Sequence, residues 1–187
     1  MANSGHRTIW LMAAISLLPL LAAVMVYQFW RPQSGMNHGE LLPTRPLPPA
    51  ALSDLTGNTY TTDKLLGKWL LVTIQPPTCD EKCQRKLYYL RQVRITQGEN
   101  MGRIERLWLL RGAGTPDPQL VAAHPGLRIA RPADPAWLAE FPAKGDPLAH
   151  IYLIDPLGNL VLRYDEDVNP KGMVSDLTRL LKISRVG

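Results

Sequence analysis

The longest apolar stretch of the chain lies at its N-terminus. Residues 8–30 read TIWLMAAISLLPLLAAVMVYQFW and contain no charged side chain. A helix of this length crosses a hydrocarbon core of about 30 Å. Trp10 near one end, and Tyr27 and Trp30 near the other, stand where interfacial aromatic residues usually lie. The pattern therefore predicts a single transmembrane helix over residues 8–30.

A cleavable signal peptide is the alternative explanation of this stretch. Its apolar region would be about 7–15 residues long and would end at a site with small residues. Here the apolar region is longer, and the bulky residues 27–30 take the place of the small ones. The sequence therefore favours an uncleaved anchor in contact with membrane lipid.

The positive charges on the two sides of the anchor do not decide its orientation. Arg7 precedes the anchor and Arg31 follows it, so the count of positive charges is nearly equal on both sides. A short N-terminal tail before a single span favours an N-inside orientation. We therefore expect residues 1–7 to be a cytoplasmic tail. The globular domain would then lie on the periplasmic, extracytoplasmic side of the inner (plasma) membrane.

Prolines and a lack of periodicity mark residues 31–50. Such a segment predicts an extended, Pro-rich linker. His38 lies within it, close to Met36, and both side-chain types can contact copper. A solvated linker histidine is the favoured interpretation, and the globular domain is expected over residues 51–187.

The domain begins with a β-hairpin and a βαβ unit. Residues 51–62 predict a hairpin around the turn Gly57-Asn58. The continuous apolar run Trp69–Ile74 is typical of a central parallel strand. A helix is predicted from Cys79 to about Gln97, and a second strand at Leu107–Leu110 completes the unit.

The remaining elements complete an α/β order. The segment 111–146 is rich in Pro, Gly and Ala and predicts short elements, namely helices at 118–123 and 135–141 and a strand at 127–130. A hairpin over residues 151–164 and an amphipathic helix over residues 170–183 follow. This order predicts an α/β, thioredoxin-like three-layer sandwich preceded by a single transmembrane helix and a Pro-rich linker.

Composition excludes one class of partner and leaves another open. The net charge is +5, with a pI near 9.4. The aromatic residues do not interleave with a basic stripe, and no nucleic-acid-binding motif occurs, so we expect no nucleic-acid partner. The predicted helix carries five basic residues, whose solvation is favoured over docking on an acidic partner surface: Lys82, Arg85, Lys86, Arg91 and Arg94.

Cys79 and Cys83 are the only cysteines, and they directly follow the predicted central strand. Thr78 and Glu81 match a capping box, with Thr78 as the N-cap. That assignment places Cys79 in the first turn of the helix, where free N–H groups and the helix dipole favour a thiolate. We therefore expect Cys79 to be the more reactive thiol, although Asp80 beside it opposes this effect.

Two thiols at this spacing permit several roles. A disulfide is feasible because the Cα separation falls within the allowed window, but it closes a short loop and so adds little stability. Two thiolates also suit Cu(I). Thiol–disulfide exchange, copper binding and an unreactive pair therefore all remain open, and Cys79 and Cys83 are the candidate catalytic residues.

The motifs together resemble the Sco/SenC family. The resemblance rests on Gly67–Ile74, Cys79-x-x-x-Cys83, Tyr152–Gly158 and the closing helix, and covers about residues 50–184. It implies a membrane-anchored, thioredoxin-like protein that assists assembly of the copper site of cytochrome c oxidase. It also implies copper as a cofactor, and an oxidase subunit or another copper or thiol assembly protein as the partner.

Two positions depart from the family pattern. Asp80 stands where the family has proline, and Pro147 stands in the register of the copper-binding histidine. His150 is the remaining candidate for a third metal ligand beside Cys79 and Cys83, with a structural role as the alternative. His124 is interpreted as a loop residue.

Three functions follow from these observations. The first is Sco-like assistance in oxidase assembly, by copper delivery or by thiol reduction at the oxidase copper site. The second is general periplasmic thiol–disulfide oxidoreductase activity, in which Cys79 attacks and Cys83 resolves the mixed disulfide. The third is a non-catalytic thioredoxin-fold binding module.

Overall fold

A computed structural model of the chain describes residues 4–29 and 37–184 and divides it into two compact units, residues 1–35 and 36–187. The first unit contains helix α1, Ser4–Phe29, which includes Pro19. Within its segment Gly5–Gln28 an apolar window of 18 residues has a mean hydropathy of 2.5, and the segment is long and apolar enough to cross a membrane. The helix begins four residues earlier than the sequence predicted, and Trp30 lies outside the described residues.

The second unit is built on one eight-stranded sheet. Its strands are β1 Glu40–Pro46, β2 Ala51–Asp54, β3 Thr59–Thr61, β4 Trp69–Gln75, β5 Ile104–Leu110, β6 Leu127–Pro132, β7 Ile151–Ile154 and β8 Asn159–Tyr164. The order across the sheet is β1-β8-β7-β4-β5-β6-β2-β3. Strand β4 is buried at every position. The pairs β4–β5 and β5–β6 are parallel, and the other neighbouring strands are antiparallel.

Each face of the sheet buries a separate apolar cluster. Helices α2, Glu81–Ile95, and α4, Pro170–Ile183, cover one face with side chains such as Leu87 and Leu177. The other face is covered by short segments, among them the 3₁₀ turn Pro135–Glu140. The short helix α3, Pro118–Ala123, precedes β6. The thioredoxin-like α/β fold predicted from the sequence is confirmed.

Local sequence signals explain several of these elements. Asn169 caps α4 by accepting the N–H of Lys171 at 3.0 Å, and Pro170 fits the first helical position because it has no N–H to leave unpaired. Gly57 has a φ of 87° in the turn that joins β2 to β3, as a tight hairpin requires. The predicted hairpins, the βαβ unit and α4 are all present.

The second half of the predicted linker is instead part of the sheet. Glu40–Pro46 forms the edge strand β1, which pairs with β8 and buries Leu42. The fully buried carboxylate of Asp176 on α4 accepts the backbone N–H groups of His38 and Gly39 at 2.8 and 2.9 Å. This contact fixes the start of the strand. The first part of the predicted linker, residues 31–36, lies outside the described residues.

Candidate functional site

Cys79 and Cys83 form a disulfide at the end of the central strand. We call residues 76–80, which join β4 to α2, the thiol loop. The two Cα atoms are 5.2 Å apart. Cys79 is partly exposed, whereas Cys83 is fully buried in the core beneath α2. The structure therefore brings together the two candidate catalytic residues and exposes only one of them.

Helix α2 begins later than the sequence predicted. Its N-cap is Asp80, whose carboxylate accepts the N–H of Cys83 at 2.8 Å, so the assignment of Thr78 as the N-cap is wrong. The aspartate reaches the free N–H three residues ahead and so fulfils the capping role itself. Cys83, not Cys79, therefore lies in the first helical turn, and Cys79 precedes the N-cap.

Short contacts hold the backbone around Cys79. Its N–H donates to the carbonyl of Pro77 at 2.9 Å, and its own carbonyl accepts from Gln84 Nε2 at 3.2 Å. Lys82 Nζ lies 2.9 Å from Glu166, and this contact raises the pKa of Lys82 and lowers that of Glu166. The positive charge of Lys82 is therefore partly compensated beside the thiols.

Lys86 is buried one helical turn beyond Cys83. Its Nζ donates to the carbonyl oxygen of Leu148 at 2.5 Å, and Gln75 Nε2 donates to the same oxygen at 2.6 Å. Burial lowers the pKa of Lys86. Lys86 thus links α2 to the segment that precedes β7, and Gln75 links β4 to the same carbonyl oxygen of Leu148.

This role of Lys86 was not predicted from the sequence, although the sequence contains a signal for it. Lys86 follows Cys83 by three residues and precedes Leu90 by four, so it occupies the apolar stripe of α2. The five basic residues of the predicted helix do not share one solvated face. Lys86 is buried, and Arg91 Nη1 and Arg94 Nε donate to the carbonyls of Ala123 and Ile104.

His150 has contacts with residues other than the two cysteines. The residue is 2% exposed, and Nε2 of its ring is 3.2 Å from the carbonyl oxygen of Lys144. Its Nδ1 is 3.0 Å from Asp165 Oδ1, without the geometry of a hydrogen bond. Both ring nitrogens thus face groups other than the thiols. The structure does not assemble His150 with Cys79 and Cys83 into one group of ligands.

The other histidines also have local surroundings of their own. His124 is the C-cap residue of α3 and lies in the bend that follows the helix, as the interpretation as a loop residue predicted. It is buried there, and burial together with nearby Arg106 lowers its pKa. His38 Nδ1 is 3.2 Å from Asp176 Oδ1. Within residues 4–29 and 37–184, no cluster of three or more His, Cys, Asp or Glu residues could hold a metal ion.

Comparison with known proteins covers the part of the chain that contains this site. A family model described as a transmembrane-like, thioredoxin-like, C-terminal domain matches residues 69–184. The match includes β4, both cysteines and every later element up to α4. No curated protein matches the sequence.

Solved structures with a similar fold include Sco proteins. Yeast Sco1 with copper bound has a TM-score of 0.64 and 20% identity, over 74% of this chain and 94% of that one. Bradyrhizobium japonicum ScoI with copper bound has a TM-score of 0.55 and 22% identity, over 72% and 99% of the two chains. The fold of this chain therefore resembles that of Sco proteins, as the sequence motifs predicted.

A protein of a different description has a comparable fold. The thioredoxin domain of a thiol-disulfide oxidoreductase from Bacteroides vulgatus has a TM-score of 0.57 and 18% identity, over 75% of this chain and 99% of that domain. At these identities the likenesses concern the fold alone. The chemistry has to be argued from the residues of this chain.

Proposed function

We propose that the chain, which belongs to the transmembrane-like, thioredoxin-like C-terminal domain family, is a membrane-anchored, Sco-like thiol–disulfide exchange factor. Its target in this proposal is the pair of cysteines at the copper site of cytochrome c oxidase. Cys79 and Cys83 carry the chemistry, and the globular domain works on the periplasmic side of the inner membrane.

One observation carries the proposal: the disulfide joins a partly exposed Cys79 to a fully buried Cys83 at the start of α2. An exchange pair needs one sulfur that a partner can reach and a second that resolves the mixed disulfide from within. A bridge across four residues also constrains the unfolded chain little. A purely structural role would therefore gain little from it.

The exchange proceeds in two displacement steps. In the reduced chain the Cys79 thiolate attacks one sulfur of the target disulfide, forms a mixed disulfide and releases the first target thiolate. The Cys83 thiolate then attacks Cys79 Sγ and releases the second target thiolate. Two electrons pass to the target, the Cys79–Cys83 disulfide forms, and a dithiol reductant restores the reduced chain.

The oxidase is proposed as the target on the strength of the fold likeness to Sco proteins, one of which is described as a member of a family of cytochrome c oxidase assembly proteins. The apolar helix α1 supports a location at the membrane, where an oxidase resides. General thiol–disulfide exchange is the alternative, and the fold likeness to the Bacteroides vulgatus oxidoreductase favours it.

Deletion of the gene, with complementation by variants, distinguishes these possibilities. We expect deletion to lower the copper content and activity of the oxidase, and the wild-type chain to restore both. Cys79→Ser, Cys83→Ser and the double variant should fail to restore them. A thiol reductant added to the medium should rescue the deletion, because it replaces the proposed chemistry.

Three outcomes contradict parts of the proposal. Full complementation by the double variant would leave only the non-catalytic binding module. A normal oxidase together with oxidised or misfolded proteins elsewhere in the periplasm would indicate a general oxidoreductase. Rescue by added copper but not by the reductant would favour copper delivery over thiol exchange.

Copper delivery is a second candidate, with copper as the cargo. Two solved structures with this fold are described as having copper bound. Reduced Cys79 and Cys83 would supply two soft thiolates, a donor set that suits Cu(I). The described residues add no third ligand to them, since His150 faces Lys144 and Asp165 instead.

Competition with a Cu(I) chelator tests this candidate. The reduced full-length chain should take up one Cu(I) per molecule if it delivers copper, and the double cysteine variant should take up none. His150→Gln should leave the Cu(I) affinity unchanged if the two thiolates alone hold the metal. A loss of affinity in that variant would restore His150 as a ligand.

A further inference from the structure

An apolar groove of about 820 Å³ lies beside the thiol loop. Ile74 near the end of β4 and Leu110 at the end of β5 line it, together with Leu138 and Pro147. Gly114 in the groove wall is a neighbour of Pro77 in the thiol loop. A Cβ atom added to Gly114 would lie 3.8 Å from the side chain of Pro77. The groove therefore adjoins the loop that presents Cys79.

The charges that line the groove are all positive. Arg131 donates to the carbonyls of Gly112 and Gly114 at 3.1 and 2.6 Å and so braces the wall next to the thiol loop. Arg111 is exposed, and its side chain has no hydrogen bond or ion pair in the part of the chain that the structure describes. No aspartate or glutamate is among the lining residues. The groove thus combines an apolar floor with an unpaired cation.

We propose that this groove binds an extended segment of the target polypeptide, next to the target's reactive cysteine. An apolar side chain of the segment fills the groove, and a carboxylate of the segment pairs with Arg111. This inference rests on the proposed function, because a mixed disulfide with Cys79 requires the target backbone to pass directly beside the thiol loop.

The dimensions and charge both favour this occupant. Clefts of about 300–1,000 Å³ are typical of binding sites, so the groove has room for more than one apolar side chain. A segment that is tethered at Cys79 is held at high local concentration beside the groove. The unpaired Arg111 attracts an acidic segment and repels a basic one, which selects among cysteine-containing targets.

The test uses the full chain with Cys83→Ser in neutral lipid nanodiscs, so that only Cys79 reacts. The probes are peptides with one cysteine activated as a mixed disulfide with thionitrobenzoate. One peptide has Leu and Glu on each side of the cysteine, a second has Lys in place of Glu, and a third has Ser in place of Leu. Attack by the Cys79 thiolate joins the peptide to Cys79 and releases coloured thionitrobenzoate, which gives the rate constant.

We expect the Leu/Glu peptide to react about fivefold faster than the Lys or the Ser peptide at low salt, the scale of an exposed ion pair. Arg111→Glu should invert the preference between the Glu and Lys peptides. Ala139→Trp, which places a large ring on an exposed lining residue, should remove the preference for Leu.

Two matched variants control for added charge and bulk. Lys171→Glu introduces the same charge change on α4, and Ala122→Trp adds the same ring to an exposed position on α3, both outside the groove lining. Neither should alter the peptide preferences. Each peptide rate is divided by the rate of the same variant with a small uncharged aromatic disulfide, because that reagent does not need the groove.

The outcomes separate this inference from the proposed function. Equal peptide rates in Arg111→Glu, Ala139→Trp and the parent chain, with a normal reaction of the small disulfide, overturn the groove but not thiol exchange. Absence of any reaction overturns thiol exchange. In that case binding of a fluorescent Leu/Glu peptide with Ser for Cys to the disulfide form still tests the groove, and binding that is unchanged by Arg111→Glu and Ala139→Trp overturns it.

Discussion

At the scale of single residues, the two cysteines differ in accessibility more than in position along the helix. The sequence pattern predicts a reactive Cys79 because it predicts that this residue lies at the helix terminus. The structure places Cys83 in the first turn, and only Cys79 is partly exposed. The expectation that Cys79 is the attacking thiol therefore stays a prediction, but access now supports it better than the helix dipole does.

Alkylation of single-cysteine variants measures this difference. In the native full-length chain, Cys79 of the Cys83→Ser variant should react with iodoacetamide at least about tenfold faster than Cys83 of the Cys79→Ser variant, because a buried thiol is inert. In concentrated urea the two rates should become similar. A faster native reaction at Cys83 would reverse the proposed roles of the two thiols.

A single carboxylate holds the start of β1. Asp176 is fully buried and accepts two backbone N–H groups, those of His38 and Gly39, and burial together with Asp176 raises the pKa of Tyr164. Replacing this carboxylate leaves these two N–H donors without their acceptor, and the donor of Gly39 is buried. Each such donor costs about 1–3 kcal/mol.

We therefore expect Asp176→Ala to lower the free energy of unfolding by about 2–4 kcal/mol. Limited proteolysis should then cut within residues 37–46 before the rest of the domain. Asp63→Ala is the matched control, since Asp63 is an exposed carboxylate and its loss should leave both measurements nearly unchanged. Resistance of residues 37–46 in Asp176→Ala would show that strand pairing alone holds β1.

At the scale of elements, ion pairs link neighbouring segments on the sheet. The carboxylate of Glu105 on β5 contacts Arg128 on β6. Lys68 Nζ lies 3.1 Å from the same carboxylate. Burial raises the pKa of Glu105, but the contacts with Arg128 and Lys68 outweigh burial and lower the pKa below its ordinary value. A lowered carboxyl pKa means that the folded state favours the charged form.

The stabilisation from Glu105 is therefore complete above the ordinary pKa of a glutamate and is lost as the pH falls through the lowered, folded-state pKa. Glu105→Gln should reduce the free energy of unfolding by about 1 kcal/mol at pH 7 and by much less near pH 3. Urea denaturation at both pH values measures the difference. Glu99→Gln, at an exposed position, is the matched control and should leave the free energy of unfolding at pH 7 nearly unchanged.

The elements that carry their own signal were predictable from the sequence. Strand β4 is a continuous apolar run, and α4 has an amphipathic period and a Pro at its start. Strand β1 has no such signal, because Pro43 and Pro46 interrupt it. An edge strand tolerates proline, since half of its N–H groups need no partner.

The site shows the same limit. The spacing of the cysteines was readable, but the contact that fixes β1 joins residues more than 130 positions apart, from His38 to Asp176. The burial of Lys86 depends on the carbonyl of Leu148, which local periodicity does not reveal. Pairings between distant segments were therefore the part that the sequence could not supply.

At the scale of the whole molecule, the chain combines an apolar helix with a folded domain. Helix α1 is long and apolar enough to cross a membrane, and no side chain in the apolar window is buried within the structure. We expect the full chain to remain in the membrane fraction after alkaline carbonate extraction. A chain that lacks residues 1–29 should be released, and equal release of both chains would contradict the anchor.

The side of the membrane is tested separately by a membrane-impermeant maleimide applied to intact spheroplasts. The reagent should label a cysteine placed at exposed Lys171 in a chain whose own cysteines are replaced by serine. A cysteine at Gly5 should be labelled only after lysis. The opposite pattern would place the domain in the cytoplasm.

The burial of Cys83 joins the redox state of the chain to its folding. Its sulfur lies in the same apolar cluster as Leu87, Leu90 and Met173, so oxidation and reduction take place inside the core. By a thermodynamic cycle, any packing change that stabilises the folded disulfide form over the folded dithiol form lowers the reduction potential by the equivalent free energy, with about 1.4 kcal/mol corresponding to 30 mV. Core residues that never touch a target can therefore set the direction in which the electrons flow.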